Sequence, residues 1–220
     1  MPYSSVIDQQ ELLDTWLQEH VWNNSLAFFT LCRKACAVAA REGRLDILQA
    51  LRERDCPWGP SAYAMAARRG YFEIVQWLYQ HGCSWDVWAC AEAARGGHLD
   101  ILQWLRANGC PWDKDTCTGA AVGGHLEVLQ WARDRGCPWD EDTCIGAAQE
   151  GHLDVLQWAH SKGCPCNTRV SAYADSQGHQ HVLEWLREQG ITADYQVIVP
   201  DEDDDDDDDD LAAIFAALVK

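Results

Sequence analysis

The sequence predicts an all-α solenoid of stacked helical repeats, and three observations lead to that fold class. Glycines recur at a period of 27 residues, an apolar stripe at helical spacing follows each of them, and a pair of alanines precedes most of them. Two short helices cannot bury such a stripe alone, so neighbouring units must stack on one another. The repeating glycines are Gly43, Gly70, Gly97, Gly124, Gly151 and Gly178.

Each unit is predicted to contain two helices, and the residues around Gly97 show the pattern. Apolar residues at positions 99, 101, 102 and 105 form the stripe of one helix. Gly109 suits the left-handed end of that helix, and Pro111 prevents it from continuing. After a short link, Asp115 is predicted to cap the second helix, whose small pair Ala120–Ala121 allows close packing.

The ends of the chain differ from its middle, which indicates three regions. Residues 1–33 are predicted to form a helical cap over the first unit, and residues 34–195 hold the six units. Residues 196–220 form an acidic tail in which eight aspartates, Asp203–Asp210, precede an apolar segment at 211–220. Such a charge run is expected to be disordered. It is either a solubilising end or a tethered peptide that engages a groove.

The repeated pattern AAxxGHLEVLQWL resembles the ankyrin signature over about residues 34–190. Its period of 27 is shorter than the 33 residues of ankyrin repeats, and the shortening falls between Asp113 and Asp115. Cys117 and Cys144 stand where that family has a buried leucine. The Cys-Pro-Trp-Asp variant is similar to ankyrin-like arrays of giant DNA viruses and some protists. The resemblance implies a protein-binding scaffold with shortened or absent β-hairpin fingers.

Composition argues against several classes of function. A formal net charge of -18 disfavours nucleic acids and anionic membranes as partners. No stretch is long and apolar enough for a transmembrane helix, and Met1 precedes an acidic segment unlike a signal peptide. We therefore expect an intracellular, cytoplasmic monomer. A nuclear location, or a host cell if the protein is viral, is the alternative to the cytoplasm.

Cysteine, histidine and tryptophan recur in equivalent registers, which makes them structural candidates. One residue per unit cannot converge on one metal ion, and equivalent cysteines lie too far apart for disulfides. The eleven cysteines are therefore predicted to be reduced and metal-free, and no cofactor is expected. The histidines are predicted to hydrogen-bond neighbouring loops, and the two tryptophan ladders to pack between units. No catalytic motif or acid–base pair is present, so no enzyme is predicted.

A protein-binding surface is expected at positions whose residues differ from unit to unit while the surrounding repeat pattern stays the same. Arg41, Arg68 and Arg95 form a basic row near the ends of the first three Ala-pair helices, which is either a solvated edge or an anionic docking strip. The resemblance to ankyrin arrays implies that the residues just before each repeating glycine face the concave side. Trp88, which lies outside both tryptophan ladders and beside the link, is the best candidate for an exposed contact. The candidate contact residues are Arg41, Met65, Arg68, Arg69, Trp88, Glu92, Arg95, Val122, Gln149 and Tyr173.

The partner itself is expected to be another protein, and two alternatives to a simple scaffold remain. The array could recruit substrates to a ubiquitin-ligase-type complex, although residues 1–33 lack the usual Leu-Pro opening of the adaptor box. Alternatively, the acidic tail could bind basic proteins. The tail is also predicted to fold back weakly on the basic row formed by Arg41, Arg68 and Arg95, with contact between two molecules as an equal alternative.

Overall fold

The computed structural model describes residues 25–192, and this part of the chain contains α-helices and no strand. Most of the expected N-terminal cap (residues 1–24) and the whole of the acidic tail (residues 196–220) lie outside the described residues. The helices are α1 Ser25–Arg41, α2 Leu45–Glu53, α3 Pro60–Arg69, α4 Phe72–Gln80, α5 Val87–Arg95, α6 Leu99–Ala107, α7 Lys114–Val122, α8 Leu126–Asp134, α9 Glu141–Gln149, α10 Leu153–Ser161, α11 Thr168–Ser176 and α12 Gln180–Glu188.

The helices form two layers, which confirms the predicted solenoid. The odd-numbered helices pack closely on one another from unit to unit, while each even-numbered helix packs mainly on its own partner. Because the odd-numbered layer is the more tightly spaced of the two, the array curves toward it. We call the odd-numbered helices inner and the even-numbered helices outer. None of the described helices is long and apolar enough to cross a membrane.

The close spacing of the inner helices follows from their small residues. Ala93 and Ala94 of α5 are fully buried, and so are the equivalent pairs in α3, α7 and α9. Gly119 of α7 lies so near α5 that a Cβ atom there would be 2.5 Å from the carbonyl oxygen of Ala91. Outer helices instead bury leucines and other branched residues such as Ile101 and Leu102. One continuous core therefore runs through all the units.

The turns confirm the predicted helix ends and correct one predicted start. Gly109 has φ +86, and the next amide, of Cys110, donates to the carbonyl of Leu105 at 3.0 Å. This arrangement closes α6 as expected. The cap of α7, however, is Asp113 and not Asp115, because the side chain of Asp113 accepts from the amide of Asp115 at 3.1 Å. The link between Gly109 and α7 is therefore four residues long, which leaves no room for a hairpin finger.

The buried cysteines connect successive turns. The thiol of Cys137 donates to the carbonyl of Asp113 at 3.2 Å, and that of Cys164 donates to Asp140 at the same distance. Burial raises the pKa of Cys36, Cys83 and Cys164 to about 12. These thiols therefore remain protonated and serve as small core residues with a weak donor.

The prediction that every cysteine is reduced is wrong at one pair, because Cys144 and Cys166 form a disulfide. The prediction compared cysteines that occupy the same position in successive units, whereas this disulfide joins cysteines at two different positions of the repeat. Cys144 lies in α9, and Cys166 lies in the turn before α11, where the preceding turns carry a tryptophan. Their Cα atoms are 5.9 Å apart, within disulfide range.

Candidate partner-binding surface

The C-terminal ends of the inner helices are held in place by the repeated histidines. Nε2 of His98 lies 3.1 Å from the carbonyl oxygen of Arg68, and His152 and His179 contact Val122 and Gln149 in the same way, at 3.1 and 2.8 Å. Each histidine therefore reaches back 30 residues to the preceding unit. This confirms that the histidines are structural.

The histidine hydrogen bonds are accepted by the backbone of several candidate contact residues. His125 bonds the backbone of Arg95, so Arg68, Arg95, Val122 and Gln149 are the four successive acceptors. At this position of the repeat, the backbone makes the same hydrogen bond in four successive units, whereas the side chain differs between them. Desolvation lowers the pKa of His125, with further contributions from the neighbouring His98 and His152. The neutral imidazole is the form that this junction favours.

The basic row is partly neutralised by the protein itself. Nε of Arg41 lies 3.1 Å from a carboxylate oxygen of Glu42, and Arg68 pairs with Glu92 of the next inner helix at 3.4 Å. In contrast, Arg69 and Arg95 are exposed, and within residues 25–192 neither has a carboxylate at ion-pair distance. The free positive charge of this face is therefore concentrated on Arg69 and Arg95.

The other candidates differ in accessibility. Trp88 is 52% exposed near the start of α5, as its position outside both tryptophan ladders predicted. Met65 and Tyr173 are half-buried against the core, and the Arg169 guanidinium lies 6.0 Å from the Tyr173 ring centre. Val122 is half-buried, and a Cβ at Gly146 would lie 2.7 Å from its Cγ2 atom. Trp88 is therefore the most exposed large apolar side chain among the described residues, and it lies in the unit that also carries Arg95.

Two tryptophan ladders were predicted, and the structure joins them into one series of pairs. The indole in each turn contacts the indole of the next outer helix edge to face, as Trp112 does with Trp131 at a centroid distance of 6.0 Å. The other pairs are Trp58–Trp77, Trp85–Trp104 and Trp139–Trp158. This confirms that the ladders pack between units.

Sequence reasoning missed a groove on the outer side, next to one of these pairs. It occupies about 460 Å³, and its lining residues are Gln103, Arg106, Ala107, Trp112, Trp131 and Arg135. The guanidinium of Arg106 lies 4.1 Å from the Trp112 ring centre, and Arg133 covers Trp139 at 4.0 Å. The recurrence of arginine six residues before a turn tryptophan is the sequence signal that could have revealed this arrangement.

The described residues offer no grouping suited to metal binding, since no three histidine, cysteine, aspartate or glutamate side chains converge. The most buried polar side chains are Thr116 and Thr143, which lie beside cysteine thiols in the core. What the surface offers a ligand is therefore charge, aromatic area and a rigid backbone.

Comparison with known families agrees with the geometry. Residues 63–113 match the family described as "Ankyrin repeats (many copies)". The matched segment runs from α3 to the turn before α7, and it contains Arg68, Arg69, Trp88, Glu92 and Arg95. No curated protein matches the chain.

Proposed function

We propose that this chain, whose ankyrin repeats are recognised over residues 63–113, binds another protein through the concave face of its inner helices. Ankyrin repeats generally mediate protein–protein interaction, which is the coarse function of the array. One observation carries the finer proposal: side chains that differ from unit to unit are displayed on a backbone that histidines anchor in the same way at four successive junctions, through His98, His125, His152 and His179. Such a frame presents a rigid surface, which lowers the entropic cost of binding.

The centre of the proposed contact is the pair of units that holds Arg69, Trp88 and Arg95. An exposed indole and unpaired guanidiniums are the side chains most often dominant in protein interfaces. The partner is expected to present an acidic or polar rim around an apolar pocket that receives Trp88. Neither catalysis nor a cofactor is part of this proposal.

The test compares charge reversals on the two sides of the array. A partner would first be isolated with the full chain, and its affinity would then be measured by calorimetry for Arg95→Glu and for Trp88→Ala. Arg187→Glu is the matched control, because Arg187 is an exposed arginine of the outer helix α12. Each concave-face variant should weaken binding about tenfold or more, as interface anchors do. Equal affinity for Arg95→Glu, Trp88→Ala and the unaltered chain would exclude the concave face.

A further inference from the structure

The outer groove between α6 and α8 lies on the side of the array that the proposed function does not use. It is formed by the C-terminal halves of these two helices and by the turn that carries Trp112. Its walls are aromatic and its charged residues are both arginines, Arg106 and Arg135. In a chain with a net charge of -18, a groove lined by positive charge alone is an unusual surface.

The two arginines are held in place by aromatic contacts. Arg106 stacks over Trp112, and one of its amino groups donates to the carbonyl of Cys110. The guanidinium of Arg135 lies 5.4 Å from the Trp131 ring centre. A guanidinium stacked on a ring keeps its N–H edge available to a carboxylate. Within residues 25–192 neither arginine has an acidic side chain at ion-pair distance.

The electrostatic balance of the groove favours an anion. The C-terminal ends of α6 and α8 meet there, and each helix end contributes about half a negative charge. Two guanidiniums contribute two full positive charges, which exceed the helix ends. A volume of about 460 Å³ accommodates a few residues of extended chain. The ligand chemistry that fits is a peptide segment rich in carboxylates.

We propose that this groove binds the chain's own acidic segment, Asp201–Asp210. These ten consecutive acidic residues are the densest negative charge in the sequence. The last described outer helix, α12, ends at Glu188, on the same side of the array as the groove. Helix α8 lies two units earlier, which is about 20 Å at ordinary helix spacing. The nine residues that follow Thr192 and end at Asp201 reach about 17 Å on average and about 30 Å when extended.

The groove is a better site for this segment than the basic row of the inner helices. Arg41 and Arg68 already pair with Glu42 and Glu92. Arg95 lies in α5, three units before α11 and on the opposite layer from the outer helices. A tail that leaves the outer helix α12 therefore meets Arg135, two units back on its own layer, before it can reach Arg95.

Carbodiimide coupling in the full chain tests this placement, because the reagent joins a carboxylate to an amine that touches it. Arg135→Lys places an amine in the groove, and Arg95→Lys places one on the basic row as the matched control. Both arginines are exposed, so neither change is expected to alter folding. The native pair of Lys114 and Asp140, whose atoms are 2.5 Å apart, is an internal standard for the reagent.

The expected product is an amide between position 135 and a residue of 201–210, located by mass spectrometry. Its yield should exceed that at position 95 by about fivefold or more at low salt, and should fall as salt screens the charges. It should also be unchanged by dilution, as for a contact within one molecule. Equal or greater coupling at position 95, products found only between two chains, or no product at 135 while Lys114 couples would each overturn the proposal.

Discussion

The close approach of inner helices makes a specific prediction for Gly123→Ala. Gly123 follows α7 with φ -76 and ψ -8, a backbone conformation that alanine adopts without strain. By conformational entropy alone the change would stabilise the fold by about 0.4–1 kcal/mol. A Cβ atom would, however, lie 2.3 Å from the carbonyl oxygen of Arg95 and 2.5 Å from Cδ2 of His125. Both atoms belong to the junction that anchors one unit on the next.

The steric cost is expected to exceed the entropic gain. Overpacking of a well-packed contact costs about 1–3 kcal/mol, and weakening of the His125 hydrogen bond to Arg95 adds about 1 kcal/mol. After the entropic gain is subtracted, the net loss in the free energy of unfolding should be about 1–3 kcal/mol. Gly96→Ala should behave similarly, since its Cβ would lie 2.2 Å from the carbonyl oxygen of Arg68.

Urea unfolding of the full chain, followed by circular dichroism, measures this loss as a lower midpoint. Gly59→Ala is the control, because Gly59 also has a negative φ and a Cβ there would meet nothing nearer than Arg33 Cδ at 3.8 Å. It should change the free energy of unfolding by less than about 0.5 kcal/mol. If Gly123→Ala proves as stable as the unaltered chain, the inner helices are not as close as the structure places them.

Three further predictions concern single side chains. Trp104→Ala should cost about 2–4 kcal/mol in urea unfolding, because the half-buried indole packs on Phe72, Tyr79 and Trp85; an unchanged midpoint would contradict that packing. Because the pKa of His125 is lowered in the folded chain, this histidine becomes protonated in the unfolded chain at a higher pH than in the folded one. Stability should therefore fall as pH drops below about 6.5, and His125→Gln should reduce that dependence, which thermal melts between pH 7.5 and 5 would show. In denaturant without reductant nine thiols should react with a thiol reagent, and eleven after reduction; eleven in both samples would disprove the disulfide of Cys144 and Cys166.

Most of the fold follows from the 27-residue period. A glycine and an apolar stripe in every unit predict the helix pairs, and Gly109 indeed adopts the left-handed conformation that ends α6. The prediction that histidines such as His98 form structural hydrogen bonds to a neighbouring unit is confirmed, although the acceptor, the carbonyl of Arg68, lies in the last turn of α3 and not in a loop. The exposure of Trp88 also follows from its position outside both tryptophan ladders. Its role in binding, like that of the other candidate residues, stays a prediction.

The candidate surface was only partly predictable. The sequence identifies which positions vary, and so it indicates Arg68, Arg69 and Arg95 as a basic group. It does not show that Arg68 is already paired with Glu92, which comes from the next unit and from a different register. The ion pairs determine which charges remain available to a partner.

Sequence alone therefore determined the features that depend on equivalence between units: the period, the helix pairs, the small inner face and the structural role of the histidines. Only the tertiary structure decided the contacts between unlike registers, namely the Cys144–Cys166 disulfide, the outer groove at Trp112 and Trp131, and the pairing of Arg68. The physical reason is that a repeat pattern specifies what every unit has in common. Distances between different registers depend on how far each unit is translated and rotated against the next, and packing of the whole array sets those values.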